Sequence, residues 1–292
     1  MKTKTISNIS PELSDFNLLK VGYCLHPEAM IIQGKSWKSI QFPAIVSLLK
    51  HPTIGWILFD TGYAKRFNQS TAKFPNSLYR LVTPMHLCDK EQLLPQLEML
   101  NISVDDIQMI FISHFHADHI AGLLDFPNAS FICSRKGLDD FQRRKGLNGL
   151  IKGYLKDLLP LDFLTRTIFI EETKSVKLES EMRPFTIGYD LFADQSYIAI
   201  ELPGHAFGHY GLLFDDGQSV NFLIADACWS EEAFRNERSP NRLTDIIMAN
   251  GKDYRETLSN LSQLYRSNGE IRIYPSHCNV SYKRWLKYAS AY

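Results

Sequence analysis

At 292 residues, with 45% hydrophobic and 22% charged residues, the chain has the make-up of an ordinary globular protein. Its length suffices to bury about three-quarters of the unfolded surface. Lys+Arg 32 balances Asp+Glu 32, which argues against a protein whose main task is to hold nucleic acid or an anionic membrane.

Apolar or alternating runs bounded by Pro, Gly and Asp predict strands over 18–25, 44–49, 55–59 and 108–113. Helical spacing is expected over 90–100, then over 134–145 and 147–158 in the middle of the chain. Strands follow over 167–170, 185–192, 197–202, 211–215, 220–225 and 271–274, with Asp215-Asp216-Gly217 as a hairpin turn. Further helices are expected over 239–250, where Ser239-Pro240 makes a good start, and over 254–267 and 281–289. No repeat or linker divides the chain, so a single domain over 1–292 is expected, its sheets packed together with helices outside. No window reaches about 18 consecutive apolar residues, and the N-terminal MKTKTISNISPELSDF has no apolar signal core. Five cysteines, Cys24, Cys88, Cys133, Cys228 and Cys278, without a CxxC, fit reduced thiols. The expectation is a cytoplasmic protein without a membrane span.

The strongest chemical signal is Ile112-Ser113-His114-Phe115-His116-Ala117-Asp118-His119, directly after an apolar strand. In extended chain, residues two apart point the same way, so His114 and His116 can converge on one point. Asp118 and His119 fall where the chain turns toward Gly122 and can face a second point. Three imidazoles and a carboxylate within six residues suit a borderline metal such as zinc, and only 9 of 292 residues are histidine, so chance is a poor explanation. Three later strand ends each present one further candidate: His205 after Pro203-Gly204, Asp226 after 220–225, and His277 after Pro275-Ser276. A lone His or Asp at a strand end is usually structural. Together, however, they bring the set to five imidazoles and two carboxylates, enough for two metal ions.

These segments resemble the metallo-β-lactamase-fold hydrolase superfamily. The resemblance is carried by Leu58-Phe59-Asp60-Thr61-Gly62, the HFHADH segment at 114–119, Pro203-Gly204-His205 with His209, Ile224-Ala225-Asp226 and Pro275-Ser276-His277, in the family's order. It implies an α/β fold, an αβ/βα sandwich of two mixed sheets flanked by helices, with the site at one edge between them. It also implies two divalent metal ions, zinc first, with manganese, iron or cobalt admissible. His114, His116 and His205 would hold the first, Asp118, His119 and His277 the second, and Asp226 would bridge them. Asp60 and His209 would buttress the loops. A metal-bridging hydroxide would attack a lactone or ester carbonyl, with Asp118 able to pass a proton to the leaving group.

Asp226 stands where β-lactam-cleaving relatives carry a cysteine. Length, motif order and Asp226-Ala227-Cys228-Trp229 most resemble N-acyl-homoserine-lactone lactonases, the quorum-quenching branch. Many of those have a tyrosine three residues after the bridging aspartate. Trp229 stands there instead, and an indole donates a hydrogen bond without giving up a proton. Phe67, Tyr79, Met85, Phe115, Tyr154 and Trp229 are expected around an amphipathic lactone or ester, with a helical insert near 134–160 as a lid. The apolar stripe Leu147, Leu150, Ile151, Tyr154, Leu155, Leu158 and Leu159 is most simply core-facing, with the lid over an acyl chain as the functional reading. Residues 135–156 carry seven Lys/Arg against two Asp, most simply a solvated helix face. Cys228 and Cys278 read as packing residues, and His26, His51 and His86 receive no role. Three other readings stay open: a phosphodiesterase, a glyoxalase-II-like thioesterase, or a non-catalytic ligand-sensing effector. Segment 78–88 could serve a homodimer, and no nucleic-acid partner is expected.

Overall fold

Apolar strands that alternate on both faces need cover on both faces, and the chain supplies it with two stacked sheets and outer helices. The computed structural model describes residues 16–289; residues 1–15, on which the expectation of no signal core falls, and 290–292 lie outside it. The first sheet contains β1 (Phe16–Pro27), β2 (Ser39–His51), β3 (Gly55–Phe59), β4 (Met85–His86), β5 (Ile107–Phe111), β6 (Ser130–Cys133) and β7 (Thr167–Phe169). Their order is β4-β1-β2-β3-β5-β6-β7, parallel from β3 through β7 and antiparallel elsewhere. The second contains β8 (Lys174–Lys177), β9 (Ile187–Asp190), β10 (Tyr197–Glu201), β11 (Tyr210–Asp215), β12 (Val220–Ala225) and β13 (Arg272–Pro275). It is antiparallel in the order β13-β12-β11-β10-β9-β8, except for the parallel β12–β13 pair.

Period-two alternation assigns the faces. Ile45 and Leu49 of β2 meet Tyr197, Ala199, Leu212, Phe214 and Leu223 of the second sheet in the inner core. Their neighbours Val46 and Leu48 join the outer core with Leu93 and Leu97 of the helix Leu93–Met99. Phe222 and Ile224 of β12 belong to the same outer core as Leu258, Leu261 and Leu264 of the helix Gly251–Ser267. This is the αβ/βα sandwich of two mixed sheets that the resemblance implies, with the packed sheets and outer helices that the residue pattern leads one to expect.

The expected strands are present, with shifted ends. Asp215-Asp216-Gly217 does form the β11–β12 turn, with the Gly217 N–H donated to Asp215 Oδ1 at 2.8 Å. Three strands were not foreseen, β4, β6 and β8, each two to four residues long. A run that short shows no period, and β6 exists because β5 and β7 pair with it from both sides.

Two expected helices are corrected. Over 239–250 there is only a 3-10 turn at Arg242–Ile246, started by Asn241, whose side chain accepts the Leu243 N–H. The N–H groups of Ala249 and Asn250 bond to the carbonyls of His205 and Gly204, so they are withdrawn from any helix. Over 147–158 the helix is confined to Gly146–Leu150, because Gly153 turns to φ +71 and its carbonyl accepts the Ala117 N–H. In both places a helical pattern is overruled by backbone bonds to the loops that carry His116 and His205.

The basic segment is mostly paired. Arg135 meets Glu172 and Lys136 meets Glu201. Ser134 caps the helix Arg135–Arg143 by accepting the Gly137 N–H. The buried Asp140 carboxylate accepts Arg143 Nη2 at 2.6 Å, Arg144 Nε at 2.8 Å and the Tyr154 hydroxyl at 3.0 Å. Burial pushes the Asp140 carboxyl up, but these three donors outweigh it and hold the group below the usual carboxylate range. Its contribution is therefore complete above about pH 4, the unfolded value, and fades as the pH falls through the lower folded value. Asp140→Asn is expected to cost about 2 kcal/mol at pH 7, with the difference from the parent shrinking below about pH 4. Urea unfolding at several pH values measures this; a difference independent of pH would refute the ionic account.

Candidate metal centre

The HFHADH segment is held at the edge where the two sheets meet. Ile112 N–H continues the parallel ladder onto the Ile132 carbonyl, and the Ser113 carbonyl accepts the Tyr210 N–H of β11 at 3.0 Å. On the other side, the Ser276 carbonyl accepts the Ile45 N–H of β2 at 2.9 Å, which seats the His277 loop against the first sheet. Two non-glycine residues flank the site in the left-handed region, Asp60 at φ 62 and Ala225 at φ 44. Gly204, at φ +121, is required for a second reason: a Cβ there would lie 2.0 Å from the Tyr254 nitrogen.

These loops bring all seven candidate side chains into two adjoining groups. His114, His116, His205 and Asp226 form one, and Asp118, His119 and His277 the other; donor atoms within each group lie within 4.8 Å of one another. All are buried except the half-buried Asp118. Asp226 faces both groups. Its Oδ1 lies 3.0 Å from His277 Nε2 and 3.2 Å from His119 Nε2, while its Oδ2 lies 3.1 Å from His205 Nε2. Asp118 Oδ2 faces His277 Nε2 at 3.4 Å and His119 Nε2 at 3.8 Å.

The surrounding hydrogen bonds fix which imidazole nitrogen stays open. His277 Nδ1 lies 2.5 Å from the Pro43 carbonyl, which only accepts, so that nitrogen carries the proton and Nε2 is free. His119 Nδ1 lies 2.7 Å from Asp60 Oδ2, with the same result. The Ser113 hydroxyl is 2.7 Å from Asp60 Oδ2 and 3.0 Å from His114 Nδ1. Its single proton goes to the carboxylate, so its oxygen accepts from His114 Nδ1–H and leaves His114 Nε2 open. Asp60 also takes the Ser113 N–H at 2.8 Å. The Asp60 carboxylate thus orients two of the three HFHADH imidazoles, His114 and His119, the arrangement by which metal-binding histidines are usually held.

The open atoms carry no hydrogen bond. His114 Nε2, His119 Nε2, His277 Nε2 and Asp226 Oδ1 are all buried and without such a partner, a costly state for protein alone. Within the first group, His116 Nδ1 and His205 Nε2 stand 3.0 Å apart. Nitrogens sharing a tetrahedral zinc at roughly 2.0–2.1 Å are separated by roughly 3.3 Å, so this pair already has the edge length of a coordination shell. Burial and the neighbouring imidazoles hold His114 and His116 well below the usual histidine range, in the neutral form that ligates. At His119 burial works the other way from the net result: Asp226, Asp60 and Asp118 outweigh it and raise the value. His277 is raised by Asp226 and Asp118 against the same burial. Asp226, although burial opposes its charge, is held well below the usual range by His277, His119 and His205. A negative centre ringed by open nitrogen atoms fits divalent cations, and the N/O donor set fits zinc and its neighbours.

His209 takes no place among the donors, because its Nε2 accepts the Asp226 N–H at 3.1 Å. Burial pushes it down to about 3, so it stays neutral and braces the Asp226 loop. Three residues were missed by sequence reasoning: Ser113, Pro43 and Phe42, the last stacked on the His277 ring at 4.2 Å. Ser113 adjoins His114 and could have been suspected. Pro43 lies 234 residues from His277, and nothing local marks it.

Of the expected pocket residues, Phe115 packs against Phe141 and Phe163, and Phe67 against Tyr63 and Tyr79; both are sealed in the core and unavailable to a substrate. Tyr154 is also buried, its hydroxyl on Asp140. Tyr79 and Met85 are half-buried. Trp229 turns its N–H to Asp226 Oδ2 at 2.9 Å. Cys228 and Cys278 are buried without reaching the donor groups: Cys228 Sγ donates to the Ser230 carbonyl, and Cys278 Sγ accepts the Glu231 N–H. His51 is tied to Asp194 and Ser196, away from the site.

Residues 46–217, more than half of the chain, match the family model described as the metallo-β-lactamase superfamily. The chain is 22% identical over 208 residues to an N-acyl homoserine lactonase AttM of Azorhizobium caulinodans, which covers 71% of this chain and 73% of that protein. A second N-acyl homoserine lactonase AttM, from Rhizobium radiobacter, is 26% identical over 164 residues, 54% of this chain and 56% of that one. Among solved structures, an N-acyl homoserine lactone hydrolase with the product N-hexanoyl-L-homoserine at its catalytic metal centre is similar with a TM-score of 0.69. Its identity is 19%, and 93% of this chain and 96% of that one are covered. With the two sheets, the paired donor groups and the matched family model together, the chain belongs to the metallo-β-lactamase superfamily and is a metal-dependent hydrolase.

Proposed function

We propose that the chain is a lactonase that opens N-acyl-homoserine lactones, with His114, His116, His205 and Asp226 holding one divalent ion and Asp118, His119, His277 and Asp226 a second. The observation that carries the reading is Asp226, whose two oxygens face two groups of otherwise open donor nitrogens. Zinc is the first choice from the donor set, and such ions lower the pKa of water toward 7 and polarise a carbonyl oxygen.

What the chain itself contributes follows from its residues. Asp60, Ser113 and Pro43 hold an imidazole proton on Nδ1 of His119, His114 and His277, so Nε2 is the nitrogen that each turns toward an ion. Asp118 is the one half-buried member, with Oδ2 3.4 Å from His277 Nε2. It is placed to take a proton from the attacking water and return it to the ring oxygen as the acyl C–O bond breaks. Atoms balance as lactone plus water giving one hydroxy acid. The Trp229 indole supplies no proton.

The surroundings support an amphipathic substrate. Gly153 lies against the His116 ring and the Tyr79 hydroxyl, where an added Cβ would be 3.0 Å and 3.4 Å away. Lys152 Nζ donates to the carbonyls of Ile246 and Met248 at 2.9 and 2.5 Å, joining segment 146–153 to segment 242–248. On these segments and the helix Ser77–Val82, Leu81, Val82, Leu147, Ile151, Ile246 and Ile247 are exposed. Exposed apolar side chains on segments linked in this way to a charged centre suit an acyl tail with a polar head. Segment 146–153 takes the role of the lid. The cysteines of the described residues are free thiols, in keeping with a reducing compartment.

In a pH-stat, the metal-loaded protein is expected to release one acid equivalent per N-hexanoyl-homoserine lactone opened. A chelator should abolish the release and added zinc restore it. Acid release indifferent to chelator would refute the metal role. Hydrolysis of phosphodiesters or glutathione thioesters, with lactones untouched, would move the assignment to those substrates. Zinc loading should also raise the melting temperature, since it satisfies buried donors that the unfolded chain leaves in water. Asp60→Asn, which loses an acceptor for the Ser113 hydroxyl or His119 Nδ1, is expected to weaken metal affinity roughly 10–100-fold. Competition with a chromophoric chelator reads this, and unchanged affinity would show that Asp60 only shapes the turn.

A further inference from the structure

Trp229 was expected in the substrate pocket, yet its polar atom is committed elsewhere. Its indole N–H donates to Asp226 Oδ2 at 2.9 Å. The ring is buried and gripped on several sides: edge-on to Phe42 at 6.0 Å and to His205 at 5.6 Å, with Tyr254 at 5.9 Å. Phe42 in turn stacks on His277 at 4.2 Å. One aromatic cluster therefore touches a donor from each of the two groups, and the carboxylate shared between them.

The two Asp226 oxygens are treated differently by this cluster. Oδ2 receives the indole N–H and faces His205, whereas Oδ1 has no hydrogen bond and faces His119 and His277. A carboxylate on a short side chain is free to turn about Cβ–Cγ unless something holds one oxygen. The backbone bracing by His209 acts on the Asp226 N–H and leaves that rotation open. An indole N–H donates at any pH and accepts nothing, so it holds an oxygen without competing as a ligand.

From this geometry we infer that Trp229 is a positioning residue, which pins the Asp226 carboxylate so that Oδ2 serves the His114–His116–His205 ion and Oδ1 the other. The inference rests on the metal centre and is independent of which ester is cleaved. Partners that orient ligating groups typically matter 10–100-fold in metal affinity, and the pinned oxygen serves one ion.

Two measurements test it on the full chain. Stepwise zinc affinity is read by chelator competition for the parent and Trp229→Phe, which keeps an aromatic ring and removes the N–H. The expected result is two equivalents in both, one of them roughly tenfold weaker in the variant and the other within about twofold. Equal affinities in parent and variant, or a loss shared by both equivalents as from a general packing defect, would overturn the inference. A parent that binds fewer than two ions would instead overturn the metal centre itself. The second measurement needs no variant: the four indole N–H resonances, from Trp37, Trp56, Trp229 and Trp285, are followed by NMR during zinc loading of the parent. Trp229, buried on the carboxylate, is expected at low field and to shift on loading while the other three stay nearly fixed. If no indole resonance responds, the inference fails.

Discussion

A carboxylate shared by two groups of imidazoles is the interaction on which the rest of the site depends. Asp226 is buried, and its charge is tolerated there because His277, His119 and His205 surround it. The reverse also holds, since the nearby carboxylates raise His119 and His277 against the lowering effect of burial. Remove Asp226 and the two groups lose their common member. The Nε2 atoms of His205, His119 and His277 would lose the one carboxylate that all three face.

Around this centre the protein spends backbone strain and hydrogen bonds on orientation. Asp60 sits at positive φ, and its carboxylate holds Ser113 and His119 at once. Through the Ser113 hydroxyl the same carboxylate also decides the His114 tautomer. Ala225, immediately before Asp226, is the second strained residue, and its carbonyl accepts the Ser276 N–H just before His277. Strain of this kind persists only where the surroundings over-determine it, and here those surroundings are the two sheets themselves.

The loops over the site follow the same logic. Helical patterns at 147–158 and 239–250 are both interrupted, and in both the diverted backbone groups bond to ligand segments. The Gly153 carbonyl goes to Ala117, beside His116, and the Ala249 and Asn250 N–H groups go to the His205 and Gly204 carbonyls. Lys152 then joins the two interrupted segments. Conformation is exchanged for proximity: a regular helix would satisfy itself and leave the ligand loops unsupported.

The sequence by itself determined the donors and most of the framework. His114, His116, Asp118 and His119 were legible because they crowd into six residues after an apolar run. His205, Asp226 and His277 were legible because each ends a strand. The alternating runs gave β2, β3 and β10 to β12, since period two is a property of consecutive residues. Tertiary structure decided what depends on partners far along the chain. The short β6 is a strand because β5 and β7 flank it, and Pro43 fixes the His277 proton from 234 residues away. Phe67 and Phe115 are core and not pocket because the elements packed over them close every side. Trp229 faces Asp226 for the same reason. The direction of a side chain is set by the space that remains after the sheets have packed, and a linear pattern carries no record of that space.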